Sequence, residues 1–184
     1  MKAQMTSADV TAFCRQMEAL GIKVWLDGGW GVDALLGRQT RAHADLDIVV
    51  QEKDLRFLVE ILEGRGFREL PRDDSRAWNF VMGDGRGKEI DLHVIAIDRE
   101  GNGIYGPPAR NEGMYPAAAL QGQGQIEGLS VRCVSPEFQI RSRTEYEPDP
   151  TDYEDVRALA DKFGLEIPRS LEKCCKPSRS PVAV

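Results

Sequence analysis

The chain has 184 residues, of which 41% are hydrophobic and 29% charged. That balance fits one globular domain, or one domain with a small second lobe, and excludes low-complexity chains. No apolar run approaches the ~18 residues of a membrane span. The net charge is −6, and four basic residues against one acid in 169–184 leave −9 on residues 1–168. An acidic body argues against a nucleic-acid backbone as main partner and suits a cationic small molecule with a metal-bound nucleotide.

The start, Met1 to Thr6, lacks the apolar core of a signal peptide, so a cytoplasmic protein is expected. The cysteines (Cys14, Cys133, Cys174, Cys175) have no spacing that suggests zinc or a disulfide framework. Thr6 to Leu20 reads as an amphipathic helix with Val10, Phe13, Cys14, Met17 and Leu20 on one face. Thr6 caps it, with Asp9 placed to complete the cap, and Gly21 stops it.

Val24 to Val50 organises the chain. An apolar run, Val24-Trp25-Leu26, breaks at Gly28-Gly29 and continues as an amphipathic segment, Trp30 to Leu36. A basic link, Arg38 to His43, leads to Asp45-Leu46-Asp47-Ile48-Val49-Val50. The expectation is strand, glycine turn, short helix, then a strand carrying a metal site. Side chains two apart on a strand share a face, with Cα atoms roughly 6–7 Å apart. Asp45 and Asp47 therefore point one way, and Leu46, Ile48 and Val50 point into the core. Two carboxylates aimed at one point repel unless a cation lies between them, and Mg²⁺, which prefers oxygen and accompanies phosphates, fits. Gly28 and Gly29 have no Cβ, so their amides can approach a phosphate at the start of the following helix.

Asp54 to Arg65 reads as a helix with Leu55, Leu58, Val59 and Leu62 as its stripe and Asp54 as its cap, followed by a short strand, Phe67 to Leu70, in a βαβ-like arrangement. Asp73-Asp74 lies in a polar loop and reads as solvated. Trp78–Met82 and Lys88–Ile97 read as strands around a glycine turn. On the second, Ile90, Leu92 and Val94 take one face, and Glu89, Asp91 and His93 take the other. Three successive polar positions on an otherwise apolar strand need a partner.

Arg99 to Gln125 is loop-like, and Tyr105, Glu112 and Tyr115 lie in it. Such a segment either shapes a pocket or is a long connection. Gln125 to Val134 reads as a hairpin. Ser135-Pro136 opens a helix carrying Arg141 and Arg143. Asp152 to Phe163 is the last helix, and Gly164 stops it. After Pro168 periodicity is lost, so a disordered tail is expected. The expected division is 1–134 as a catalytic domain, 135–168 as a helical part and 169–184 as the tail.

The order of diglycine, short helix and Asp-x-Asp on an apolar strand resembles the nucleotidyltransferase superfamily that includes DNA polymerase β. Trp25 to Asp33 and Arg41 to Asp47 are similar to the small antibiotic nucleotidyltransferases of the lincosamide and aminoglycoside 2″ types. The likeness is strongest over 24–50, continues to about Phe163 and leaves the tail uncovered. It implies an α/β (α+β) nucleotidyltransferase fold, a mixed sheet flanked by helices with a small C-terminal helical part. It also implies the third metal carboxylate on a second strand beside the first. Asp91 matches that setting, and Glu89 competes with it.

What the resemblance implies is transfer of AMP from ATP to a hydroxyl of an aminoglycoside or a lincosamide, with pyrophosphate released and resistance as the outcome. Asp45, Asp47 and Asp91 would hold Mg²⁺, and Asp91 would help remove the acceptor proton. Gly28, Gly29 and Trp30 would seat phosphates through backbone N–H groups, and Arg41 and His43 would contact the triphosphate. Glu89, His93, Tyr105 and Glu112 are candidates for the acceptor pocket, with Asp149 a further carboxylate. Asp33 reads as a surface or helix-packing residue. Tyr146, Glu147, Asp152 and Asp155 belong to a helical part that closes over the substrates. Rival readings are a toxin-like transferase acting on tRNA or protein, and a catalytically silent nucleotide-binding module. A homodimer stays open.

Overall fold

A computed structural model describes residues 4–107 and 113–172. Helix α1 (Ser7–Ala19) starts at Thr6, whose hydroxyl accepts from the Asp9 amide while the Asp9 carboxylate accepts from the Thr6 amide. This reciprocal cap satisfies amides that have no partner inside the helix. Strand β1 (Val24–Leu26), helix α2 (Gly28–Leu36), strand β2 (Asp45–Gln51) and helix α3 (Glu52–Gly64) follow. Helix α3 begins before Asp54, so that residue lies in the first turn instead of capping it.

Strands β3 (Arg68–Leu70), β4 (Asn79–Gly83) and β5 (Glu89–Ile97) come next. The stretch read as loop holds β6 (Gly103–Tyr105), β7 (Met114–Tyr115) and a 3-10 turn (Ala117–Gln121). The hairpin is β8 (Gly122–Ile126) with β9 (Leu129–Cys133), and it opens earlier than expected. Helices α4 (Pro136–Ser142), α5 (Pro150–Phe163) and α6 (Arg169–Glu172) close the described chain. The expected disorder after Pro168 does not begin there. Arg169–Glu172 is a helical turn, and Leu171 is buried in the core. Residues 173–184 lie outside the described residues.

The strands form one mixed sheet in the order β3-β4-β5-β2-β1-β9-β8, with β6 extending from β5 and β7 from β6. The parallel partner of β2 is β5, not β3, so the βαβ-like unit closes only after β3 and β4 have been laid down beyond β5. Each face has its own packing. Leu46, Ile48, Val50, Ile90, Leu92 and Val94 join the apolar stripes of α1, α2, α3 and α5 in the main core. The other face carries a smaller cluster of Trp25, Val49, Ile95, Tyr115, Ala119, Leu120 and Val134. Beside that second cluster, the same face presents Asp45, Asp47, Asp91 and His93. A strand with one apolar and one mixed face is what period-2 patterning produces. Among the described residues, no helix is long and apolar enough to cross a membrane.

Candidate active site

Strands β2 and β5 run in register, so Asp47 lies opposite Asp91 and Asp45 opposite Glu89. The two central carboxylates therefore meet across one strand gap. One donor atom each from Asp47, Asp91 and His93 lie within 4.8 Å of one another. The expected trio of Asp45, Asp47 and Asp91 is not the group found at that spacing. Asp45 sits exposed at the rim, and His93 takes the third place.

The electrostatics show the strain of this cluster. Desolvation pushes the Asp47 carboxyl up to about 7, and the negative charge of Asp45 adds to it. Desolvation also raises Asp91, opposed by nearby His93 and assisted by Asp45. Oδ1 of Asp91 is buried with no hydrogen-bond donor. Repelling, partly desolvated carboxylates with an orphaned oxygen fit a divalent cation. Asp47, Asp91 and His93 would hold it, with Asp45 available at the rim.

Helix α2 is aimed at this point. It begins at Gly28 itself, so the expected glycine turn is the first turn of the helix. Asp27 caps it, its Oδ1 accepting from the Gly28 amide at 2.9 Å. The first intrahelical bond is Gly31 N to Asp27 O, so the amides of Gly29 and Trp30 precede the ladder and form the positive end of the helix. Glycine is required here for close approach. A Cβ on Gly28 would lie 2.0 Å from Oδ2 of Asp47, and one on Gly29 would lie 2.4 Å from Nδ1 of His43. The indole of Trp30 is buried in the core with its ring 4.8 Å from that of His43.

His43 is buried as well, and both its nitrogens are engaged. Nη1 of Arg41 lies 2.7 Å from Nδ1 of His43, and Nε2 lies 2.5 Å from Oδ2 of Asp33. A guanidinium only donates, so Nδ1 accepts and Nε2 carries the proton given to Asp33. Oδ1 of Asp33 accepts from the amide and hydroxyl of Thr40 at 3.0 and 2.6 Å. Asp33 is thus a buried anchor of the basic link, and His43 positions Arg41. Nη2 of Arg41 reaches Oδ2 of Asp155 on α5 at 3.2 Å, and Nη2 of Arg143 reaches the same oxygen at 3.2 Å. Nε of Arg143 lies 3.2 Å from Oδ1 of Asp152.

These parts surround a cavity of about 600 Å³. Asp27, Gly28, Gly29, Arg41, His43, Asp45, Asp47, His93, Tyr105, Met114, Tyr115, Phe138, Gln139, Arg143, Glu145, Tyr146 and Asp152 line it, whereas Asp91 lies behind this lining. Tyr115 donates to Oδ2 of Asp27 at 3.2 Å and stacks on Phe138. Glu89 pairs with Arg72 at 3.1 Å and does not line the cavity. Asp149 caps α5 through the amides of Thr151 and Asp152. Glu112 lies outside the described residues.

A family model described as aminoglycoside-2''-adenylyltransferase matches residues 9–159. The chain belongs to that family. A lincosamide resistance protein of Staphylococcus haemolyticus is 27% identical over 143 residues, covering 77% of this chain and 86% of that protein. A 2''-aminoglycoside nucleotidyltransferase of Escherichia coli is 33% identical over 117 residues, covering 62% of this chain and 59% of that protein. Among solved structures, lincomycin-bound lincosamide adenylyltransferase LnuA superposes with a TM-score of 0.73 at 24% identity, over 85% of this chain and 98% of that one. ANT(2'')-Ia in complex with adenylyl-2''-tobramycin gives 0.66 at 24% identity, over 91% and 93%. Both share the fold.

As a member of the aminoglycoside-2''-adenylyltransferase family, the chain is a nucleotidyltransferase, and its cavity gathers groups suited to that chemistry. Sequence reasoning had assigned no role to Asp27 or Gln139. The signal for Asp27 was local, an acidic residue directly before a helix N-terminus. Nothing local marked Gln139, whose side chain is fully buried beside Gly31.

Proposed function

We propose that this protein transfers AMP from ATP, accompanied by Mg²⁺, to a hydroxyl of an aminoglycoside or a lincosamide and so confers resistance. The reading is carried by one observation: Asp47, opposed in register to Asp91, lines a cavity together with the N-terminus of α2. A divalent cation held at the carboxylates would neutralise triphosphate charge and polarise the α-phosphoryl group.

The chain's own residues supply the rest. The amides of Gly29 and Trp30 and the guanidinium of Arg41 seat the β- and γ-phosphates. Asp91 takes the proton of the acceptor hydroxyl. Its desolvation makes it a stronger base than a solvated carboxylate. The hydroxyl oxygen forms a bond to the α-phosphorus as the bond from that phosphorus to the bridging oxygen breaks, and pyrophosphate leaves. Tyr105, Met114, Tyr115 and Phe138 offer apolar surface to the acceptor, while Glu145 offers a carboxylate. Such a wall suits an amine-bearing molecule with an apolar face, and the relatives are named for lincosamides and 2''-aminoglycosides.

The test is pyrophosphate release with ATP·Mg²⁺ and a panel of both antibiotic classes, with the product mass checked for one added AMP. Release confined to one class identifies the acceptor. No release with either class overturns the proposal.

A further inference from the structure

We propose that Tyr115 is a positioning residue for the nucleotide: its hydroxyl holds the Asp27 carboxylate at the start of α2 and keeps that negative charge out of the path of the triphosphate. The inference rests on the proposed nucleotidyl transfer and gives the Tyr115 hydroxyl and Asp27 a task in it. Asp27 is a junction. Its amide donates to the carbonyl of Asp47 at 3.0 Å, and its carbonyl accepts from the Gly31 amide at 2.8 Å. Its Oδ1 accepts from the Gly28 amide at 2.9 Å, and its Oδ2 accepts from the Tyr115 hydroxyl at 3.2 Å. One residue therefore ties the first turn of α2, the carboxylate strand β2 and strand β7 together.

Tyr115 is held so as to reach this point. It ends β7, which pairs with β6, which in turn pairs with β5, so an extension of the sheet carries it back to the start of α2. Its ring is buried, stacks on Phe138 at 4.8 Å and meets Tyr105 edge-on at 6.2 Å. Contacts on face and edge fix the direction of the hydroxyl. Burial and the Asp27 charge hold its phenol well above the usual range, so it stays protonated and donates. Asp27 and Tyr115 both line the cavity beside Gly29 and Arg41, which seat phosphates in the proposed reaction. A carboxylate where a polyanion docks opposes binding unless donors occupy its oxygens. The Gly28 amide occupies one oxygen and Tyr115 the other. Without the hydroxyl, Oδ2 turns its charge on the cavity and the cap on α2 loosens.

The test is binding of ATP·Mg²⁺ to the full chain by titration calorimetry, with no acceptor present. Tyr115→Phe keeps the ring and its stack and removes only the hydroxyl. Its Kd for ATP·Mg²⁺ should rise about tenfold, the worth of one hydrogen bond to a charged group. Asp27→Asn removes the charge and keeps an oxygen for the Gly28 amide. In that background Tyr115→Phe should weaken binding by less than about twofold, because the two residues act as one unit. An unchanged Kd in Tyr115→Phe overturns the inference. So does a loss of the same size in the Asp27→Asn background, since Tyr115 would then act on the nucleotide directly or through packing alone. Pyrophosphate release by the wild type is scored separately. Release alongside an unchanged Kd in Tyr115→Phe removes the inference and leaves nucleotidyl transfer standing. No release with any acceptor, with the pattern of the two variants intact, removes the transfer and keeps the positioning of the nucleotide. ATP·Mg²⁺ that fails to bind the wild type overturns both.

Discussion

Gly28 has no Cβ, and the carboxylate of Asp47 fills the place where one would be. The built Cβ would fall 2.0 Å from Oδ2, and Gly28 holds a left-handed φ of +52°. Gly28→Ala should therefore combine backbone strain with displacement of Asp47. Together these cost on the order of 2–4 kcal/mol, and turnover should be lost. Gly37→Ala is the control. Gly37 has φ +70° but nothing nearer than Lys162 Nζ at 4.0 Å, so it should lose stability and keep activity. Thermal melts and initial rates of the two variants separate strain from close approach, and an active Gly28→Ala would refute the crowding argument.

Asp47 predicts how the metal-free protein responds to pH. Its carboxyl is pushed up to about 7 from 3.8, so the folded state holds that proton more tightly than the unfolded chain. A raised carboxyl contributes stability that is fully present below the unfolded value and lost as pH rises through the folded one. The metal-free protein should thus lose stability between about 4 and 7, with Asp91, also raised, adding in the same direction. Asp47→Asn should flatten this slope and raise the metal-free Tm at pH 8 by at least about 2–4 °C, while abolishing turnover. The check is a series of melts across that range with chelator present. An unchanged slope in Asp47→Asn would show that this carboxylate is not the strained group.

Much of this arrangement was legible in the sequence because it follows from short-range rules. Period-2 alternation placed Asp45 and Asp47 on one face of β2, and Glu89, Asp91 and His93 on one face of β5. The reciprocal Thr6–Asp9 cap is equally local. Pairing is not local, so the sequence could not say which of Glu89 and Asp91 would face Asp47. The parallel register settles it, and Arg72, from the polar loop that holds Asp73-Asp74, pairs with Glu89. Of the two readings of Asp33, surface or helix-packing, burial rules out the first, for a related reason. Its partners Thr40 and His43 lie beyond the helix, and only the fold of the basic link brings them back. The strands within 99–125 were missed because they are short and glycine-rich, and β6 and β7 gain their order from the edge they join.

Asp33 should act on the site only through His43 and Arg41. Asp33→Ala removes the acceptor for the buried His43 N–H and for two Thr40 donors. Leaving these unsatisfied should cost on the order of 3 kcal/mol. Freed from its relay, Arg41 loses its aim, so KM for ATP should rise by more than kcat falls. Asp33→Asn keeps one acceptor oxygen and should recover part of both losses. Steady-state kinetics with the nucleotide varied will show it. An Asp33→Ala enzyme with normal KM for ATP would mean that Arg41 does not depend on this chain of bonds.

Asp155 couples α5 to the cavity, because its Oδ2 accepts from both Arg41 and Arg143. Arg143 is buried at 5% exposure, whereas the side chain of Arg41 is 35% exposed at the cavity. Asp155→Ala leaves a buried guanidinium short of one counter-charge, with Asp152 as its remaining ionic partner. The expected cost is on the order of 3–5 kcal/mol. The exposed Arg56–Glu60 pair on α3 gives the contrast. It lies in water, and Arg56→Ala should leave the melt unchanged within error. In the Arg41→Ala background the Asp155→Ala loss should shrink, with a coupling of about 0.5–3 kcal/mol in the double-mutant cycle. Strict additivity would mean that the 3.2 Å contact between Arg41 and Asp155 carries no energy, and that Arg143 alone accounts for the buried carboxylate.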